Sequence, residues 1–339
     1  MKRVGIVTGV AGQDGSYLAE LLLEKGYTVY GLMRFSSHSK ATPEHPNFVL
    51  VRGDITDSQC ISALVKRVTS DPSWDRIEIY NLAAQSQVHV SFEQPDWTTR
   101  VDAIGPLNIL EAIRQSNDKR IRFYQAGTSE MFGKVRETPQ KETTPFYPRS
   151  PYGCAKVYAY WITKNYREAY GIYGCTGILF NHESERRGEE FVTRKITKAV
   201  GSQKFPIRLG NLDARRDWGY APDYVEAMWR MLQLETPDDY VVSTNETHSI
   251  HEFVEKAFGC IDRKIVWADD GTGTDSVTGE TLVVRDPAFY RPAEVDALIG
   301  DSTKFREISG WSPQVSFDDL VRRMVESDAL MASRKSCVF

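Results

Sequence analysis

Short apolar runs at 3–8, 28–33, 47–52, 77–83, 121–126 and 175–180 are rich in Val, Ile, Leu and aromatic residues. Longer stretches between them carry apolar residues at helical spacing, such as Leu18, Leu21 and Leu22, or Ile109, Leu110 and Ile113. Strands that are apolar on both faces and alternate with helices predict a parallel, doubly wound α/β sheet of Rossmann type. After about Asn181 the pattern breaks into shorter pieces, including a polar Gly/Thr/Asp stretch at 269–280. This predicts two parts, 1–180 and 181–339, the second a smaller α/β lobe with segments interleaved into the first.

Composition narrows the function. With 339 residues the chain is long enough for about two domains. Its 42 Lys and Arg against 46 Asp and Glu leave a net charge of −4, and no basic block stands out, so nucleic-acid binding is not expected. No apolar run approaches the roughly 20 residues that cross a bilayer. The N-terminal run at 1–9 resembles a leader, but Gly12, Gln13, Asp14 and Gly15 cut it short, so it reads as mature protein. The five cysteines (Cys60, Cys154, Cys175, Cys260, Cys337) are scattered and form no C-x-x-C, which fits reduced thiols in a cytoplasmic protein without structural zinc.

Directly after the first predicted strand comes Gly9-Val10-Ala11-Gly12-Gln13-Asp14-Gly15, opening into a helix at 16–20. Glycines permit a tight turn and a close approach of backbone to a pyrophosphate, whose charge the free N–H groups at a helix start stabilise. The strand before and the helix after make this a dinucleotide loop, Gly9, Gly12, Gln13, Asp14 and Gly15 being its cofactor-binding residues. At the end of the second strand, where NAD-binding proteins place an acid for the ribose 2′-hydroxyl, stands Arg34 followed by Phe35-Ser36-Ser37. A cation suits a 2′-phosphate, which favours NADP; the alternative is an ordinary surface arginine. Asp54 and Ile55 fall at the adenine edge, with a turn cap as the other reading of Asp54. Leu82, Ala83, Ala84 and Ser86 supply small or apolar residues where the cofactor passes close to backbone.

Tyr152 and Lys156 form Y-x-x-x-K at the start of a helix, and a spacing of four places them on one face. An ammonium beside a phenol stabilises phenolate and makes the tyrosine a usable general base. Gln125-Ala126-Gly127-Thr128-Ser129-Glu130 ends the fifth strand, at the sheet edge where such folds place their chemistry. An extended backbone there would put Thr128 and Glu130 on one face.

These features resemble the extended short-chain dehydrogenases/reductases. More narrowly, the runs at 8–18, 128–130, 141–152, 181–184 and 291–295 are similar to those of the GDP-mannose 4,6-dehydratase family, over nearly the whole chain. The resemblance makes 1–180 mainly the NADP-binding domain and 181–339 mainly the sugar-nucleotide lobe. It implies a hydro-lyase in which Tyr152, with Lys156 and Thr128, takes the 4-hydroxyl proton of GDP-mannose while hydride passes to NADP⁺. Glu130 then removes the C5 proton and protonates the departing 6-hydroxyl, and hydride returns to C6, giving GDP-4-keto-6-deoxymannose. It further implies cofactor contacts from Trp97, Lys156, His182 and Arg187. Substrate contacts are implied for Ser86, Ser129, Asn181, Val192, Lys195, Leu209, Gly210, Asn211, Arg216, Arg291 and Glu294. A homo-oligomer, dimer or tetramer, is expected.

Two departures stand out. The loop at 35–46 is shorter than in the family, where it helps subunits meet, so a dimer is at least as well supported as a tetramer. Glu185 replaces the usual proline before Arg186-Arg187-Gly188. Another sugar-nucleotide epimerase or reductase, and a non-catalytic NADP-binding regulator, are the alternatives; the added acid at 130 separates the dehydratase from the first. His248 and His251 are spaced i,i+3, but Ser249 and Glu252 read as a capping box and no metal is expected. Cys154 is expected to pack inward.

Overall fold

The computed structural model describes residues 1–36, 42–289 and 298–336, with Lys335 and Ser336 described by backbone alone. Its first part runs β1 (Arg3–Thr8), α1 (Gln13–Glu24), β2 (Thr28–Met33), β3 (Phe48–Arg52), α2 (Ser58–Thr69), β4 (Arg76–Asn81), α3 (Val88–Glu93) and α4 (Pro95–Thr99). A π-helical turn at Arg100–Ile104 then leads into α5 (Gly105–Ser116), β5 (Ile121–Ala126), α6 (Pro151–Tyr170) and β6 (Tyr173–Leu179). There follow β7 (Asn181–Glu183), α7 (Val192–Gly201), β8 (Ile207–Leu209), β9 (Arg215–Arg216), β10 (Trp218–Tyr220), α8 (Ala221–Met231) and β11 (Asp239–Val242). The last described elements are β12 (His248–Ser249), α9 (Ile250–Gly259), β13 (Ile265–Trp267), β14 (Gly273–Asp275), β15 (Thr281–Arg285), α10 (Thr303–Ser309) and α11 (Phe317–Ser336).

Seven strands form one parallel sheet in the order β11-β6-β5-β4-β1-β2-β3. The sequence pattern predicts six of these. The seventh, β11, has only four residues and begins with an acid, too short to register as an apolar run. It is held by parallel pairing with β6 and by Asp239, whose carboxylate lies 2.7 Å from the Arg167 guanidinium of α6. Apolar side chains fill both faces of the sheet. Val7, Leu18, Leu22, Val29 and Met228 pack on one face, and Val4, Ile61, Ile77, Ile109 and Phe123 on the other.

A separate four-stranded sheet, β13-β14-β15-β8, lies within residues 207–285, and a further core joins Ile207, Leu282 and Val283 to Val200, Phe253 and Val321 of α7, α9 and α11. The polar 269–280 stretch, read as loop, contains β14. Strand β7 leaves the main sheet two residues after β6 and pairs in parallel with β10, so the chain passes between the two sheets at Phe180. Among the described residues no helix is long and apolar enough to cross a membrane.

The order of connections reverses between β1 and β4. The loops at their carboxyl ends therefore diverge to opposite sides and leave a crevice, the place where such sheets take ligands.

Candidate active site

The crevice continues into a cavity of about 1320 Å³. At one end Gly12 caps α1 with extended backbone, so the helix begins at Gln13, three residues earlier than predicted. A Cβ at Gly15 would stand 2.3 Å from the Gly9 carbonyl oxygen, and one at Gly9, where φ is +67°, would stand 2.8 Å from the Ala83 nitrogen. Only glycine fits this cradle, which is open to backbone approach by a phosphate.

A buried polar belt holds the strand ends in register. Thr8 donates to Asn81 Oδ1 at 2.7 Å and accepts from the Leu82 and Ala83 N–H groups at 3.0 and 3.1 Å. The two residues predicted to extend β4 are thereby turned out of the sheet toward the cavity. Asn81 donates to Gln125 Oε1 at 2.9 Å, Gln125 donates to the Ala126 carbonyl at 2.9 Å, and that carbonyl accepts from Lys156 Nζ at 3.2 Å.

Lys156 and Tyr152 project from α6, which starts where Ser150 accepts the Gly153 N–H at 3.0 Å and Pro151 fits the first turn. Backbone beyond β5 does not stay extended. Thr128 caps a 3₁₀ turn at Ser129–Met131 and its hydroxyl accepts the Glu130 N–H at 3.3 Å. The turn is braced by α6, since a Cβ at Gly153 would meet the Glu130 carbonyl oxygen at 2.9 Å. This turn, rather than strand alternation, brings Thr128, Ser129 and Glu130 to the cavity, where Tyr152 and Lys156 arrive from α6.

Burial raises the Tyr152 pKa well above its ordinary value, Asp102 adds to this, and the Thr128 hydrogen bond opposes it. Desolvation likewise lowers the Lys156 pKa while Asp102 raises it. The lowering of the phenol expected from Lys156 is not what dominates here: burial raises it, and the Thr128 hydroxyl is the hydrogen-bond partner that opposes this.

Asp102 escaped the sequence reading. It lies in the π-helical turn, fully buried, with Oδ1 accepting the Gln85 N–H at 3.0 Å and Oδ2 without a hydrogen-bond partner. Burial pushes its carboxyl up to about 7, against the pull of Lys156. The available signal was an acid inside the apolar run Val101-Asp102-Ala103-Ile104. Ionised Asp102 opposes the Tyr152 phenolate. Asp102→Asn should therefore move the acid limb of the pH–rate profile to lower pH by about half a unit or more. An unmoved limb in a folded variant refutes the coupling.

Of the other residues expected at the site, Arg34, Asp54, Ile55, Leu82, Ala83, Ala84, Ser86, His182 and Arg187 line the same cavity. Asp54 also caps a turn, accepting from the Thr56 N–H and hydroxyl at 2.9 Å each. Trp97 does not reach the main cavity; it lines an adjoining one of about 260 Å³, with the Arg34 guanidinium 5.9 Å from its ring. At the far end stand Asn181, Val192, Lys195, Leu209, Gly210, Asn211 and Arg216. Sequence reasoning missed Trp218, Ile250 and Phe289 there; Lys195 Nζ sits 3.5 Å from the Phe289 ring centroid. Arg291, Glu294 and the 37–41 part of the short loop lie outside the described residues.

Away from the cavity, Cys154 is exposed rather than packed inward, because it falls on the outer face of α6. The Ser249 and Glu252 capping box forms as expected, and His248 stacks on Phe317 at 3.8 Å. Glu185, in the place of proline, accepts a hydrogen bond from Tyr17 at 3.1 Å and another from Tyr220 at 3.3 Å. It thereby ties α1 to β10 by side chains.

The sequence profile of the family described as GDP-mannose 4,6 dehydratase matches residues 6–324. The chain is 52% identical to the GDP-mannose 4,6 dehydratase of Drosophila melanogaster, over 96% of this chain and 86% of that one. It is 50% identical to the Homo sapiens protein of that name, over 96% and 91% of the two chains. Among solved structures it is similar to the UDP-glucose 4-epimerase of Thermus thermophilus in complex with NAD, with TM-score 0.79 and 24% identity over 96% of this chain and 98% of that one. It is also similar to the dTDP-glucose 4,6-dehydratase of Bacillus anthracis, with TM-score 0.78 and 20% identity over 96% of each chain. These two structures speak to the fold, whereas profile and identity speak to descent: the chain belongs to the GDP-mannose 4,6-dehydratase family.

Proposed function

We propose that this protein dehydrates GDP-mannose to GDP-4-keto-6-deoxymannose, with NADP as the recycled cofactor. The observation that carries this reading is Glu130 in the same cavity as Thr128, Tyr152 and Lys156. Alcohol oxidation alone needs the hydroxyl, the phenol and the ammonium; eliminating water across C5–C6 needs one more acid/base.

The dinucleotide would lie along the glycine cradle, with the nicotinamide end toward Tyr152 and the adenosine end toward Arg34, Asp54 and Ile55. When bound, the nicotinamide takes a hydride from C4 of the sugar and returns it to C6. Tyr152 accepts the proton of the 4-hydroxyl, with the Thr128 hydrogen bond and the Lys156 charge both favouring its phenolate. The ketone formed at C4 acidifies C5–H. Glu130 removes that proton and gives it to the departing 6-hydroxyl, which leaves as water. A proton then returns to C5 as hydride reaches C6, so hydrogen balances: hydride moves from C4 to C6, and the 4-hydroxyl proton offsets the one gained at C5.

Residues 1–180 would mainly hold the cofactor. Residues 181–339 would mainly hold the sugar nucleotide, with Lys195 and Arg216, and the charge expected at Arg291, answering the diphosphate. Incubation with GDP-mannose and catalytic NADP⁺ tests the whole reading. Loss of water without net NADPH supports it; stoichiometric NADPH, or a sugar epimerised without loss of water, overturns it.

The NADP preference rests on Arg34 at the end of β2. Arg34→Ala should weaken NADP⁺ binding about tenfold and NAD⁺ binding much less. Equal losses for both would remove the preference from Arg34. A homodimer in the cytoplasm is the assembly we favour. Tyr158 and Trp161, three positions apart on α6, are both exposed, Trp161 by 53%, and an adjacent aromatic pair of this kind is a natural place for a second copy to pack. Trp161→Glu should lower the sedimenting mass at a fixed concentration; an unchanged mass places the interface elsewhere.

A further inference from the structure

The phosphate cradle contains an acid. Asp14 sits in the first turn of α1, lining the cavity beside Gly12 and Gly15, where a carboxylate repels the diphosphate that the cradle is shaped to take. Its Oδ2 lies 2.8 Å from His182 Nε2. The other ring nitrogen of His182, Nδ1, lies 2.8 Å from the Phe180 carbonyl. That carbonyl can only accept, so Nδ1 carries a proton, and an ionised Asp14 requires a second proton on Nε2. The ring is stacked on Tyr224 at 4.6 Å, and Gln13 closes the arrangement by donating to both Asp14 Oδ1 and the His182 carbonyl, at 3.0 and 3.1 Å.

We infer that His182 is a permanent imidazolium whose task is to neutralise Asp14, and that it serves the dinucleotide through that carboxylate rather than by contact of its own. His182 is thus a positioning residue for the cofactor loop. The inference rests on the proposal that the cavity holds a nicotinamide dinucleotide. His182 is faced by Asp14 from α1, by Tyr224 from α8 and by Arg187 from the loop after β7. Asp14 and its hydrogen bond raise the His182 pKa, against burial and Arg187. His182 in turn lowers the Asp14 pKa, against burial. Both directions favour the ion pair over its neutral form.

The test is a double-mutant cycle read by NADP⁺ affinity, with the His182 ring titration followed by NMR. His182→Asn leaves Asp14 charged and unmatched, and affinity should fall about tenfold. Asp14→Asn alone should stay within about threefold at pH 8, and tighten only at pH below the ordinary histidine range, because burial and Arg187 keep the ring neutral once its carboxylate is gone. The double variant should recover to within about threefold of the parent. A double variant as weak as His182→Asn means that His182 touches the cofactor itself and overturns the inference. Equal weakening by Asp14→Asn alone makes the pair a structural strut and also overturns it. The NMR titration needs no cofactor. An imidazolium persisting through pH 8 in the parent but not in Asp14→Asn upholds the pair even if the protein binds no dinucleotide, in which case it is the reading of the cavity that fails. A ring that titrates near 6.5 in the parent refutes the inference outright.

Discussion

Glu130→Gln should lower dehydration by about two to four orders of magnitude while leaving NADP⁺ affinity unchanged. The amide keeps the size and the polar end of the side chain, and the turn that places it is made by backbone and Thr128, so position is preserved and only proton exchange is lost. Oxidation at C4 depends on Tyr152, Lys156 and Thr128 and should survive. With elimination blocked, the signal of reduced cofactor should build up to at most one equivalent per site and then stop. Product formation at the parent rate would show that another group moves the C5 proton. Loss of both the reduced-cofactor signal and NADP⁺ binding would mean that Glu130 is structural.

Gly15→Ala should damage both stability and binding, for a different reason. Its added carbon meets backbone on two residues, 2.3 Å from the Gly9 carbonyl oxygen and 2.7 Å from the Val10 Cα, and neither can rotate away. Relief requires the start of α1 to move off β1, at a cost of about 1–3 kcal/mol in stability. The same movement spreads the N–H groups that a phosphate needs, so dinucleotide affinity should fall about tenfold or more. Gly259→Ala is the control, because a carbon added there has no atom within 4 Å and should change melting temperature and affinity little. Similar behaviour of the two variants would dismiss close packing as the reason for Gly15.

The chemistry of the site was more legible in the sequence than its geometry. Gly9, Gly12 and Gly15 announce themselves because a tight turn between strand and helix has few other solutions. Tyr152 and Lys156 are readable because α-helical spacing is rigid. Glu130 and Thr128 were found together on a mistaken backbone, since a 3₁₀ turn of three residues leaves no periodic mark. Asp102, and the pairing of Asp14 with His182, stayed hidden for another reason. Each draws its meaning from a residue 50 or more positions away, and periodicity carries no information at that range. The strand β11 was lost likewise, its place being decided by β6 and Arg167 rather than by its own four residues.

The belt from Thr8 through Asn81 and Gln125 to Lys156 has a consequence for how this sequence can change. All three linking side chains are at most 1% exposed, so replacing one strands a buried partner at a cost of about 1–3 kcal/mol, whereas a matched replacement of both partners in a bond can be nearly neutral. Positions 8, 81 and 125 therefore behave as one inherited unit: among descendants of this chain they should be exchanged as a set or kept, and a graft of the catalytic helix onto another scaffold should carry all three.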